Sequence, residues 1–150
     1  MKFLKYLIFI LLFVIVGIQF IPTTSNQSNE VLTSDFTRTF NASDKIKNLI
    51  KTSCYDCHSN NTNYPWYNKI QPIGWMLEAH VKDGKEELNF SEFGAYSTRK
   101  QKSKLKSIAS QIRDNVMPPS SYTLLHWDAR LSELEKSLLE KWVNDLEDSL

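Results

Sequence analysis

The sequence predicts a small all-α domain behind an N-terminal apolar segment. Apolar residues recur at helical spacing in several stretches, and no stretch shows the alternating pattern that is typical of strands. The length of 150 residues also suits one small domain rather than two. We expect residues 1–21 to be a signal anchor or signal peptide, residues 22–42 to be a polar linker, and residues 43–150 to be the domain.

Residues 3–21 are an almost unbroken apolar run that begins among two lysines, which is the composition of an export signal. As a helix the run reaches about 28 Å, close to the ~30 Å hydrocarbon core of a bilayer. Only Thr23 to Ser25 offer small residues for cleavage, so we favour an uncleaved signal anchor over a cleaved signal peptide. The positive-inside rule then places residues 22–150 in the periplasm, held to the inner membrane through the N-terminal helix.

Two helices are predicted in the first half of the domain. Ser43 is a good N-cap, and Ile46, Ile50 and Cys54 follow at steps of four along one helical face. A second helix is expected to begin at Pro72 and to end near Val81, because Asp83-Gly84 is a typical stop signal.

Two further helices are predicted in the second half of the domain. The third is marked by Leu105, Ile108, Ala109, Ile112 and Val116. The fourth opens with a capping box, Ser132 with Glu135 three residues later. Its apolar stripe comprises Leu134, Leu138, Leu139, Trp142, Val143 and Leu146.

The segment Cys54-Tyr55-Asp56-Cys57-His58 has the Cys-x-x-Cys-His spacing of a c-type haem attachment sequence. Two thiols on one helical turn can form thioethers with the two haem vinyl groups, and the adjacent imidazole can bind the iron. The motif therefore predicts one covalent haem c, attached through Cys54 and Cys57, with His58 as the proximal iron ligand.

Other interpretations of the two cysteines fit the sequence less well. A structural zinc site normally needs four ligands, and the chain has two cysteines, with His80 and His126 not arranged as a second pair. A dithiol redox motif of the thioredoxin kind is expected near a parallel-sheet pattern, which the sequence lacks. A plain disulfide would leave His58 unexplained.

Several motifs together resemble known haem proteins. A helix running into Cys-x-x-Cys-His, a later Met-Pro and a closing helix opened by Leu-Ser-x-x-Glu resemble the class I cytochrome c fold. Residues 43 to 146 are similar to the small haem-binding domain family of exported bacterial proteins. The shared stretches are Tyr64-Pro-Trp-Tyr67, Trp75 with His80-Val81 and Gly84, Leu88-Asn-Phe-Ser91, Met117-Pro-Pro119, and Tyr122 through His126 to Leu131-Ser132. The resemblance implies haem c and leaves the use of its electrons open.

The sixth iron ligand has two main candidates. Met117 is the first, because a thioether favours ferrous iron, and Pro118 and Pro119 stiffen its loop. His80 is the rival, because the resemblance places a histidine there, and His126 is a more remote candidate. A haem contact or simple core packing is the alternative role for each of these side chains.

Aromatic side chains at Tyr64, Trp66, Trp75 and Tyr122 are candidates to line the haem pocket, with ordinary core packing as the alternative. We expect a membrane-tethered periplasmic monohaem c-type cytochrome that exchanges single electrons with redox partner proteins and is a carrier rather than an enzyme. The alternatives are a haem-dependent peroxidase or an accessory of a peroxide-reducing system, which needs an open sixth position, and a thiol oxidoreductase. A formal net charge of +1 gives no basis for nucleic-acid binding.

Overall fold

The structure, a computed structural model, describes residues 2–150, and the regular elements in this range are helices, which confirms the predicted all-α class. Short 3-10 turns connect the α-helices, and within residues 2–150 the β-structure is one isolated bridge between Gln27 and Asn61. The α-helices are α1 Lys2–Ile18, α2 Phe36–Thr39, α3 Asp44–His58, α4 Ile73–Glu87, α5 Thr98–Arg113, α6 Ser120–Thr123 and α7 Glu133–Ser149. The 3-10 turns are Trp66–Lys69, Phe90–Ala95 and Trp127–Ala129.

The hydrophobic core lies between α5, α7 and a cluster of phenylalanines. Leu105, Ala109 and Ile112 of α5 are buried with Leu139 and Val143 of α7, as the helical spacing predicts. Phe36, Phe90 and Phe93 pack edge to face or stacked beside them, with ring centroids 4.8 to 6.4 Å apart. Helix α3 packs against this core.

Helix α3 begins where the sequence predicts. The Ser43 side chain accepts a hydrogen bond from the Ile46 backbone N–H, and Asp44 places a negative charge in the first turn. Ile46 and Ile50 are buried against the core, and Cys54 continues the same face. Burial of this face fixes the rotation of α3 about its axis. It therefore also fixes the directions of the side chains in its last turn.

The predicted stop of the second helix at Asp83-Gly84 is wrong, because α4 continues to Glu87. A β-carbon at Gly84 would lie 2.8 Å from the Cys57 carbonyl oxygen and 3.3 Å from the Cys57 β-carbon. Gly84 is therefore the point at which α4 and α3 approach each other closely, and its lack of a side chain permits the contact.

Two residues of the predicted apolar stripes lie outside the core. Val116 is exposed beyond the end of α5, where Asn115 adopts a positive φ of 58° and turns the chain. Leu134, in the first turn of α7, is 73% exposed. The capping box of α7 is present as predicted, with Ser132 and Glu135 each bonding the other's backbone N–H.

The predicted linker at residues 22–42 is packed on the domain rather than free. Phe36 is 1% exposed and contacts Phe90, and Ala42 is also buried. Upstream, the Asn26 side chain donates to the Ser59 carbonyl and to the Thr62 hydroxyl at 2.8 Å. The proposed division at residue 43 remains a prediction about domain organisation, but the core extends across it.

The N-terminal apolar run forms a helix that is shorter than the predicted 3–21. Helix α1 ends at Ile18, after which Gln19 turns toward the domain and makes two hydrogen bonds with the Gln71 backbone, at 2.9 and 3.1 Å. Met1 of the predicted anchor lies outside the described residues. Among residues 2–150, none of the helices has both the length and the apolar character needed to span a bilayer.

Candidate functional site

The Cys-x-x-Cys-His segment occupies the last turns of α3, with its two thiols in different surroundings. Cys54 packs on the apolar core beside Phe90 and Ile112. Cys57 lies at the crossing of α3 and α4, where it faces Gly84. The thiols are free and one helical turn apart, the spacing that two thioether bonds to one porphyrin require.

The His58 imidazole is oriented by the C-terminal end of α4. Its Nδ1 lies 2.8 Å from the Gly84 carbonyl oxygen and 3.1 Å from that of Leu88. Because carbonyl oxygens only accept hydrogen bonds, Nδ1 carries the proton and donates it. The lone pair therefore resides on Nε2, the tautomer that a metal-binding histidine needs.

Phe90 packs against both His58 and Tyr55. Its ring meets the His58 ring edge to face at a centroid distance of 6.3 Å and stacks on Tyr55 at 5.3 Å. Tyr55 in turn donates its hydroxyl to the buried Asp35 carboxylate. His58 is thus packed by side chains that restrict rotation of its imidazole.

Burial raises the pKa of both cysteine thiols. For Cys54, loss of solvation is the main cause and the negative charge of Cys57 adds to it, which raises the pKa to about 12. For Cys57, loss of solvation and then the charge of Asp56 raise the pKa to about 11. Reactive thiols of dithiol oxidoreductases have lowered pKa values in electropositive surroundings, so this environment is unlike theirs.

Asp56, between the two cysteines, anchors a chain of aromatic side chains. The Tyr122 hydroxyl donates to its carboxylate at 2.7 Å. The Tyr122 ring stacks on His126 at a centroid distance of 4.3 Å, and His126 Nε2 shares a 2.7 Å hydrogen bond with the Tyr67 hydroxyl. This group, which we call the Asp56 cluster, joins α3, the turn Trp66–Lys69, α6 and the loop before α7.

The other predicted pocket residues have diverse environments. The Tyr64 hydroxyl accepts a hydrogen bond from the Asn26 backbone N–H at 2.9 Å, and Trp75 is half-buried on α4. Trp66 is 77% exposed in its 3-10 turn. Their contact with haem stays a prediction, and the hydroxyl groups of Tyr64 and Tyr122 already have protein partners.

The two candidates for the sixth ligand differ in exposure. Met117 is half-buried in the loop after α5, where its backbone N–H donates to the Gln111 carbonyl. His80 is exposed on α4, one turn before Gly84 and therefore on the helical face that meets Cys57. The ligand role of either residue remains a prediction.

Sequence reasoning missed two residues of this site. Asp56 occupies a variable position of the motif, and its partner Tyr122 is distant in the chain, so no local pattern marks the pair. Gly84 follows an aspartate and so resembles a helix stop, although an isolated glycine inside a helical pattern also marks close packing.

The donor set fits a c-type haem. Two thiols one turn apart and an imidazole with Nε2 as its free nitrogen are the groups that such a haem uses from its protein. Within residues 2–150, by contrast, no group of three or more His, Cys, Asp or Glu side chains is placed to bind a bare metal ion. The zinc interpretation of the cysteines therefore finds no ligand set there.

Comparisons with known proteins agree with this chemistry. The haem-binding domain family matches residues 13–145 of the chain. The cytochrome c peroxidase Ccp of Escherichia coli strain K12 is 26% identical over 98 residues, which is 63% of this chain but 21% of that enzyme. The chain thus spans about a fifth of the length of this relative. No solved structure gives a significant match.

Proposed function

The chain belongs to the haem-binding domain family, and from this premise we propose that it is a monohaem c-type cytochrome that transfers single electrons outside the cytoplasm. The observation that carries the proposal is the His58 imidazole, whose Nδ1–H is donated to Gly84 and Leu88 so that Nε2 is free for iron. With Cys54 and Cys57 on the preceding turn, α3 supplies every group that attachment needs.

The attached haem supplies a one-electron couple between ferric and ferrous iron. The protein's part is to hold the group and to set its potential. The hydrogen bond from His58 to Gly84 makes the imidazole a stronger donor, which favours the ferric state. We assign the distal position to Met117, whose thioether favours the ferrous state and raises the potential.

The loop geometry supports Met117 over His80. Met117 is followed by two prolines, and its backbone N–H is bonded to the end of α5, so its segment is ordered before any ligand binds. His80 lies on the helical face of α4 that meets Cys57, but no proline stiffens its surroundings. We keep His80 as the alternative distal ligand.

The exposed apolar surface of α1 supports attachment to a membrane. None of the residues of α1 is buried against the domain, although nearly all are apolar. Burial of such a surface in lipid is favourable by about 25 cal/mol per Å². We therefore propose that α1 holds the protein at the outer face of the inner membrane, where it meets redox partner proteins.

The similarity to the Escherichia coli peroxidase favours one alternative, a role in peroxide reduction. That role requires an open or easily displaced sixth position at the iron, whereas an electron carrier keeps the position closed. A thiol oxidoreductase is less consistent with the raised pKa values of Cys54 and Cys57.

Covalent attachment is tested by expressing the protein with the periplasmic cytochrome c maturation machinery. Mass spectrometry after acid extraction should show one haem retained on each chain. The matched variants Cys54→Ala and Cys57→Ala should each retain haem through one thioether at reduced yield, and the double variant should retain none. Recovery of haem-free protein with a Cys54–Cys57 disulfide would favour the thiol oxidoreductase.

Optical spectra of the purified ferric and ferrous protein distinguish an electron carrier from a peroxidase. A carrier should be six-coordinate and low-spin in both states and should bind carbon monoxide slowly. A wild-type protein that is high-spin and reacts quickly with carbon monoxide or peroxide would overturn the carrier assignment in favour of the peroxide-linked one.

Membrane attachment is tested by fractionation of cells that express the full chain. The protein should remain in the membrane fraction after salt and carbonate washing, because apolar burial does not depend on ionic contacts. A soluble protein with an N-terminus near Thr24 would show instead that the segment is a cleaved signal.

A further inference from the structure

The residue between the two cysteines makes a long-range contact that haem attachment does not require. Asp56 lies on α3, and Tyr122 lies on α6, 66 positions later in the chain. The Tyr122 hydroxyl donates to Asp56 Oδ2 at 2.7 Å, while Asp56 Oδ1 accepts the Asn63 backbone N–H at 3.1 Å. Both carboxylate oxygens of Asp56 thus accept hydrogen bonds from other parts of the protein.

Tyr122 is close in sequence to the proposed distal ligand. Helix α6 starts at Ser120, three residues after Met117, and the intervening residues are Pro118 and Pro119. The Tyr122 and Thr123 backbone N–H groups both donate to the Pro119 carbonyl at 3.0 Å. Any displacement of Tyr122 is therefore passed to Met117 through a short, stiff segment.

We propose that Asp56 and Tyr122 are positioning residues that fix the Met117 segment relative to the haem-motif helix. The bond joins the helix that carries the proximal ligand directly to the segment that carries the distal one. Its effect is to keep the Met117 sulfur within bonding distance of the iron, so that the weak iron–sulfur bond does not have to order the loop. The inference rests on the proposed assignment of Met117.

The hydrogen bond from Tyr122 to Asp56 is supported by the packing of the Tyr122 ring. The Tyr122 ring is held between the stacked His126 ring and the Asp56 carboxylate, and His126 is bonded to Tyr67. Burial and then the hydrogen bond to Asp56 raise the pKa of the Tyr122 hydroxyl, so it stays protonated and donates at neutral pH. A hydrogen bond to a charged acceptor is also stronger than one between neutral groups.

Hydrogen exchange of the haem-loaded protein tests the positioning role without reference to the iron ligand. Tyr122→Phe should increase amide exchange in residues 116–126 by about tenfold, the change expected when one hydrogen bond to a charged group is lost. Tyr55→Phe is the matched control, because Tyr55, the residue before Asp56, also donates its hydroxyl to a carboxylate, that of Asp35. It should leave residues 116–126 unchanged.

The consequence for the iron is read from its spectrum and from ligand replacement. In Tyr122→Phe, the weak long-wavelength charge-transfer band of methionine-ligated ferric haem should diminish, and ferrous carbon monoxide binding should be about tenfold faster. Asp56→Ala should have at least the same effect, because it also removes the acceptor of the Asn63 N–H. The double variant should be no worse than Asp56→Ala, because the bond between Asp56 and Tyr122 is already absent there. Asp56→Asn, which keeps an acceptor oxygen, should restore much of the band.

The outcomes distinguish this inference from the proposed function. If the wild type has the methionine band and Tyr122→Phe leaves both the band and the exchange unchanged, the positioning role is wrong while the cytochrome assignment stands. If exchange increases only at residues 120–126 and carbon monoxide binding is unaffected, the bond is structural and does not act on the ligand. A wild type without the band removes Met117 as ligand and with it the positioning role, whereas a c-type cytochrome with His80 as distal ligand would still be consistent with covalent haem.

Discussion

The His58 ring nitrogen Nδ1 lies 2.8 Å from the Gly84 carbonyl oxygen, and this contact unites two features of the sequence that look unrelated. The first is a histidine that ends α3, and the second is a glycine in the interior of α4. The glycine lets the helices approach, and the approach brings its carbonyl to the imidazole. The tautomer of the proposed iron ligand thus depends on the size of a residue on another helix.

Replacing Gly84 with alanine tests this dependence. The new β-carbon would lie 2.8 Å from the Cys57 carbonyl oxygen, so α3 and α4 must separate, at a cost of about 1–3 kcal/mol in the free energy of unfolding. The separation also lengthens the bond from His58 and should raise the reduction potential. Gly17→Ala is the control, because its new methyl group would meet no atom within 4 Å apart from its chain neighbours and the backbone of its own helix. Equal stability of the two variants would contradict the close-approach argument.

Replacing the two candidate ligands separately tests which one binds iron. Met117→Ala should remove the methionine charge-transfer band, lower the reduction potential and open the iron to carbon monoxide. His80→Ala should leave the band and the potential unchanged, because the proposed ligand Met117 is retained. The reverse pattern, with a high-spin His80 variant and a low-spin Met117 variant, would establish bis-histidine ligation instead.

Two leucines of α7 allow a matched test of the core. Leu139 is 1% exposed and Leu134 is 73% exposed on the same helix. Leu139→Ala should lower the free energy of unfolding by about 2–5 kcal/mol, since it leaves a cavity beside α5. Leu134→Ala should change it by less than about 0.5 kcal/mol. Denaturant titration of the haem-loaded variants measures both, and similar losses would mean that α7 packs through a different face.

The contribution of Tyr55 to the free energy of unfolding should decrease at alkaline pH. Burial, followed by the charge of Asp35, raises the pKa of its hydroxyl in the folded protein. A raised pKa in the folded state contributes stability that is fully present below the unfolded value of about 10 and is lost as the pH rises above it. Tyr55→Phe should therefore cost about 1–2 kcal/mol at pH 7 and clearly less at pH 11. A difference that is constant from pH 7 to pH 11 would show that the hydroxyl bond adds no pH-dependent stability.

The elements that the sequence predicts well are those whose signals are local. Ser43 caps α3 and Ser132 caps α7, and in both helices the apolar residues at spacings of three and four are largely the buried ones. The cysteine motif is likewise a local signal, since three residues on one turn carry the chemistry. The structure adds the orientation of His58, which depends on Gly84 in another helix.

The predictions that were wrong or incomplete concern residues whose role depends on distant partners. Gly84 has the composition of a helix stop, and only its contact with Cys57 explains why α4 continues. Phe36 lies in a polar stretch that looks like a linker, yet its ring is in the centre of the aromatic core. Asp56 and Tyr122 are separated by 66 positions, so no periodic pattern connects them.

The position of Phe36 sets a limit on how the chain can be shortened. Cleavage before Asn26 would remove α1 and leave the aromatic core and the contacts of Asn26 with Ser59 and Thr62 intact. Cleavage at residue 42 would remove the Phe36 ring, whose loss from a core costs about 3–5 kcal/mol, a large fraction of the stability of a small domain. A form of the chain that begins near Asn26 should therefore keep its core, whereas proteolysis at residue 42, sixteen residues further along, would remove the ring at the centre of that core.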